Sequence, residues 1–103
     1  MSLKEKLFFI YKNKNQKRFD IIDNYYQQLK QWIIDNENHI LSYAERQFDV
    51  FEFLEINTNI PKIDKIRNVY LYDQISSQLS KEFGFNIEVY DFNSKTIYLR
   101  LCP

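Results

Sequence analysis

A chain of 103 residues has room for one small hydrophobic core and is shorter than chains that usually divide into several domains, so residues 1–103 are expected to form a single small domain. Hydrophobic residues at 45% and charged residues at 27% exclude the low-hydrophobicity, high-charge composition of a disordered chain. The formal charge is zero but unevenly spread: residues 1–18 carry six basic residues against Glu5 (+5), residues 19–59 carry two against eight acids (−6), and the remainder is +1.

The first segment places Leu3, Leu7 and Ile10 at helical spacing, with Phe8, Phe9 and Tyr11 widening the apolar surface, and reads as a short helix or an extended arm. Its longest apolar run, Leu7 to Tyr11, is too short for a signal-peptide core or a membrane span, which points to a cytoplasmic setting. The stretch from Lys12 to Arg18 has no apolar residue and is expected to be a linker or exposed turn, so that residues 1–18 form a basic N-terminal arm. Such an arm can fold back on the acidic middle of the chain, or bind a polyanion through Lys12, Lys14, Lys17 and Arg18.

From Phe19 the pattern is clearly helical. Ile22, Tyr25 or Tyr26, Leu29, and Trp32 or Ile33 share one face, which predicts a helix over residues 20–35 with Asp20 as N-cap. Asn36-Glu37-Asn38 interrupts that face before Ile40, Leu41 and Ala44 resume it. A break is expected there, because Asn side chains favour local hydrogen bonding over helix continuation.

Residues 48–56 turn β-branched and aromatic and predict a strand, with Val50, Leu54 and Ile56 on one face and Phe51 and Phe53 on the other. Asn57-Thr58-Asn59 is expected to end it, and the isoleucines at 60, 63 and 66 to pin a loop or 3₁₀ turn. Leu71, Ile75, Leu79 and Phe83 stand four apart and predict a helix over 70–83, with Gly84 as its stop. Two alternating strands follow, 85–92 and 96–101. If their odd residues share one core, paired positions sum to an even number, which sets Val89 opposite Leu99, Glu88 opposite Arg100 and Tyr90 opposite Tyr98 around a loop at 93–95.

The expected fold is α+β: two N-terminal helical segments, then β-α-β-β, with a three-stranded mixed sheet ending in a C-terminal β-hairpin. Strand order stays open. Helices cover one sheet face, and the other carries Phe51, Phe53, Tyr90, Phe92 and Tyr98. That aromatic face is covered by the arm Leu3 to Tyr11, docks a protein partner or a second copy, or joins the basic arm in binding single-stranded nucleic acid by stacking and phosphate contact.

Catalytic chemistry finds little support. His39 is the only histidine, so no pair of histidines can share acid–base work or hold a metal. Asp20 with Asp23, and Glu52 with Glu55, are spacings common on exposed surfaces. Cys102 has no partner for an internal disulfide and no histidine beside it, which suits a reducing compartment better than a nucleophile. A single glycine excludes a phosphate-binding Walker loop and a dinucleotide fingerprint. No catalytic residue, metal site or cofactor is therefore assigned.

The succession ILSYAERQFDVFEFLE, ISSQLSKEFGFNIEVY and KTIYLRL, spanning about residues 40–101, resembles small uncharacterised proteins of tailed phages and large DNA viruses. In these a helix and strand precede a helix with a glycine-aromatic stop and a hairpin. The chain departs from them at Arg46-Gln47, where a glycine is common, and at Leu101-Cys102, where an aromatic is common. The resemblance implies a viral origin and no activity. An A/T-rich genome agrees with it, since Ile, Asn, Lys, Tyr and Phe abound while Gly and Ala occur once each.

Overall fold

The computed structural model describes residues 2–47, 53–63 and 68–103. Its elements run α1 (Leu3–Asp35), α2 (Glu37–Gln47), β1 (Leu54–Pro61), α3 (Asn68–Phe83), β2 (Asn86–Tyr90) and β3 (Thr96–Cys102), which is the expected α+β order. The molecule is elongated, 62 × 27 × 21 Å, because α1 runs without interruption for 33 residues, about 50 Å at 1.5 Å per residue.

The continuity of α1 corrects two expectations. Residues 12–18 are neither linker nor turn but helix, and the N-cap is Ser2 rather than Asp20. Ser2 Oγ accepts a hydrogen bond from the Glu5 backbone N–H at 3.2 Å, as in the Ser-x-x-Glu pattern that starts helices. Lys, Gln and Arg are good helix formers and an exposed helix needs no apolar stripe, so a polar run need not break it. Within the run, Gln16 Nε2 donates to Asp20 Oδ1 at 3.1 Å, one turn on.

The break at Asn36 is as expected. Its backbone N–H and its side-chain Nδ2 both donate to Trp32 O, at 3.0 and 2.8 Å, while its carbonyl accepts from Ile40 N–H to open α2. At the other end of the chain Gly84 takes φ +78 and donates to Ser80 O at 2.9 Å, closing α3 in the left-handed conformation that glycine adopts without a Cβ penalty.

The sheet order is β1-β3-β2, with both neighbouring pairs antiparallel. The sheet is thus not mixed: β3 inserts between β1 and β2, so the two strands joined through α3 never touch as neighbours. The hairpin register is the expected one, Val89 opposite Leu99, Glu88 opposite Arg100 and Tyr90 opposite Tyr98. The connection is longer than expected, five residues (91–95) rather than three. β2 ends at Tyr90, and Phe92 and Asn93 lie in the turn with φ of 44 and 62, while Ser94 N–H donates to Asp91 O at 2.7 Å. Two successive left-handed residues make this a type I′ turn, whose twist suits a hairpin.

β1 runs over Leu54–Pro61, and residues 48–52 of the expected strand, including Phe51, lie outside the described residues. It also continues beyond Asn57. Leu54 to Asn57 pair with Leu101 to Tyr98, the register shifts, and Pro61 pairs with Thr96. The irregularity is held by polar side chains: Asn59 (φ 60) donates its N–H to Asn57 Oδ1, and buried Thr58 donates Oγ1 to Ile97 O at 2.7 Å while accepting from Ile60 N–H. Asn-rich sequence here makes a bulge rather than a strand end. Ile60 belongs to β1, Ile63 follows it as a buried core residue, and residues 64–67 lie outside the described residues.

One core joins the layers. Leu54, Ile56, Ile87, Val89, Ile97, Leu99 and Leu101 from the sheet meet Leu71, Ile75 and Leu79 of α3 and Ile22, Leu29 and Ile33 of α1. The free edge of β2 is closed by α3: Ser80 Oγ bonds both N–H and C=O of Ile87, and Ser76 Oγ accepts from Val89 N–H at 2.8 Å. This meets backbone groups that would otherwise invite another strand.

The arm neither covers the sheet nor folds onto the acidic middle. It is the outer half of the same helix, and Leu3, Leu7, Phe8, Phe9, Ile10 and Tyr11 are all 51–73% exposed.

Candidate functional site

Strand alternation turns the inward residues of β2 and β3 to the core and leaves Glu88, Tyr90, Tyr98 and Arg100 on the outer sheet face. Because β3 is central, Arg100 stands between Glu55 of β1 and Glu88 of β2, its register partners on either side. Its guanidinium meets Glu55 Oε1 at 2.8 Å and Glu88 Oε2 at 3.4 Å. The bond to Glu55 holds the Arg100 pKa above its ordinary value.

Aromatic rings surround this cation. The Arg100 guanidinium lies 4.7 Å from the Phe53 ring centroid, 5.2 Å from Tyr90 and 5.9 Å from Phe92. Tyr90 stacks on Tyr98, with centroids 5.8 Å apart and planes 18° from parallel, and packs against Phe92 at 4.4 Å. Four of the five aromatic residues expected on this face, Phe53, Tyr90, Phe92 and Tyr98, are thus brought to one cluster; the fifth, Phe51, is not among the described residues.

Two features of the cluster are costly for a surface with no other task. The Tyr90 hydroxyl and Arg100 Nε are buried with no hydrogen-bond partner among the described residues. Burial, reinforced by the charge of Glu55 and opposed by Arg100, pushes the Tyr90 hydroxyl up to about 12, so it stays protonated as a donor. Phe92 holds a left-handed backbone that normally favours glycine or asparagine, yet presents a ring that is 71% exposed.

Beneath the cluster the turn is anchored. Asp91 Oδ1 accepts from Asn93 N–H, and Asp91 Oδ2 accepts from the buried Tyr72 hydroxyl at 3.1 Å. Tyr72 also accepts from Ile63 N–H at 3.2 Å, and its burial raises its pKa. α3 therefore fixes the segment that carries Phe92.

The basic residues of the arm do not join this site. Lys12, Lys14 and Lys17 are exposed on α1, and Arg18 lies over the Tyr70 ring of α3 at 5.3 Å, on the helical layer. Positions two apart on a helix differ by roughly 200° around its axis, so Lys12 and Lys14 point to opposite sides. Arg100 is the functional candidate that sequence reasoning missed. Its pairing with Glu88 was legible, but its central place was not, because strand order was open.

His39 is exposed on α2, 6.5 Å from the Tyr43 ring, and among the described residues no three His, Cys, Asp or Glu side chains converge as metal ligands. Among the described residues no helix is long and apolar enough to cross a membrane. No family model, no curated protein and no solved structure matches the chain.

Proposed function

We propose that this chain is a non-catalytic interaction module that binds a protein partner through the outer face of its sheet. The observation that carries this reading is Phe92, an exposed aromatic held at φ 44 beside Arg100 and Tyr90. A hairpin turn that served only folding would use glycine or asparagine there. Tyr, Phe and Arg are enriched at protein interfaces, and Tyr and Arg are among the residue types in which binding energy concentrates there.

Single-stranded nucleic acid is the less favoured occupant. Glu55 and Glu88 flank the rings, and the arm's cations belong to another part of the molecule. A viral accessory or virion-associated role, in host cytoplasm or virion, rests on the resemblance of residues 40–101 to small phage and large-virus proteins.

The experiment is affinity capture from the source cells with the wild-type chain, Phe92→Gly, Arg100→Ala and, as a distant control, Ser77→Ala. A protein retained by wild type and Ser77→Ala and lost from both other variants supports the reading. Equal retention by Phe92→Gly contradicts it, and salt-sensitive binding of a single-stranded oligonucleotide in its place moves the assignment to nucleic acid.

A further inference from the structure

A second surface, remote from the aromatic face, carries its own argument. We propose that the N-terminal half of α1 is a self-association arm that docks on the α1–α2 corner of a second copy of this chain.

The arm's apolar residues do not form a stripe. Leu7, Phe8, Phe9, Ile10 and Tyr11 follow one another at steps of about 100°, so together they encircle the helix. Each is more than half exposed. A helix that is apolar on all sides belongs inside protein, whereas a helix lying on a lipid surface keeps one polar face. The girdle thus favours protein surroundings over a membrane.

Charge identifies the protein. Lys4, Lys6, Lys12, Lys14, Lys17 and Arg18 stand against Glu5 in the first half of α1, at the positive end of the helix dipole. The second half carries Asp20, Asp23 and Asp35 against Lys30, with no basic residue in the last turn, and Glu37 follows at the start of α2. Within one helix the first half cannot reach the second. An antiparallel α1 from another copy brings cationic half to anionic half and opposes the two dipoles. Arm-on-arm pairing would instead set +5 against +5.

The receiving surface lies at that anionic end. A cavity of about 260 Å³ opens between α1, α2 and the end of α3, lined by Ile33, Ile34, Ile40, Leu41, Phe83 and Phe85, with Glu37 at its side. Ile34 and Leu41 are 51% and 55% exposed. It offers apolar walls to the girdle and the Glu37 carboxylate to the flanking lysines. Because each copy has one arm and one groove, the exchange is reciprocal and closes as a two-fold dimer.

Complementation tests this. Sedimentation velocity should find wild type dimeric at micromolar concentration, and both an arm variant (Phe8→Asp with Phe9→Asp) and a groove variant (Leu41→Asp) monomeric. All three sites are exposed, and circular dichroism checks that the helices persist. Mixed in equal amounts, the two monomeric variants should regain a dimer, since one intact arm then meets one intact groove. Phe92→Gly should leave the dimer unchanged, separating this surface from the aromatic face. A monomeric wild type, a Leu41→Asp variant that stays dimeric, or a mixture that stays monomeric overturns the proposal. So does a monomer whose arm binds phosphatidylserine vesicles.

Discussion

Within α1, one unbroken helix, Ile22, Leu29 and Ile33 are buried against α3 and the sheet, whereas no residue from Leu3 to Phe19 is buried. Both halves have the same backbone hydrogen bonding and similar numbers of apolar residues. They differ in what lies beside them. Secondary structure in this chain is therefore set locally, by a capped start and helix-compatible residues, while stability is set by the packing available to each half. An apolar side chain stabilises nothing until it has something to pack against.

The comparison is sharpened most by truncating one leucine in each half. Leu29→Ala, at 0% exposure, should cost about 2–5 kcal/mol in chemical denaturation. Leu7→Ala, at 57% exposure, should change monomer stability by less than about 0.5 kcal/mol under dilute conditions. Similar losses at both sites would mean that the arm packs on its own monomer.

Tyr72→Phe comes next. It removes the hydroxyl that bonds Asp91 and Ile63, and a hydrogen bond to a charged group is worth about 1.5–3 kcal/mol, so a loss in that range is expected by the same assay. Phe92→Gly runs the other way. Relieving a left-handed phenylalanine should stabilise the monomer by about 0.5–1 kcal/mol, because little packing is lost with an exposed ring. Destabilisation would show that Phe92 serves the fold.

The smallest effect concerns a latch between the packed half of α1 and α3. Lys30 Nζ meets Glu82 Oε1 at 2.9 Å, which lowers the Glu82 pKa below 4.5 and raises that of Lys30 above 10.5. The Glu82 contribution is then complete above pH 4.5 and fades as pH falls through the lowered folded value; the Lys30 contribution is complete below pH 10.5 and fades as pH rises through the raised one. Lys30→Met should flatten both edges slightly in a stability–pH profile. An unchanged profile would show that solvent screens the pair fully.

Much of this molecule was legible in its sequence where one rule acts locally. Parity of inward residues gave the hairpin register, Asn36 gave the break between α1 and α2, and Gly84 gave the end of α3. Rules that assume a buried stripe misled. The polar run 12–18 looked like a linker because an exposed helix has no apolar period to detect, although Ser2 and Glu5 already marked a helix start far upstream. Asn57 to Asn59 looked like a strand end because side-chain bonds that stop a strand also make a bulge. The aromatic face was visible as alternation, but Arg100 at its centre depended on β3 lying between β1 and β2, which alternation alone does not determine.

Amide hydrogen exchange across a dilution series tests the division of α1 most directly. The account predicts that amides of residues 22–33 are protected at every concentration, and that amides of residues 7–17 exchange rapidly in dilute protein and slow as concentration rises. Strong protection of both segments at every dilution would contradict it, since the arm would then be held by its own chain.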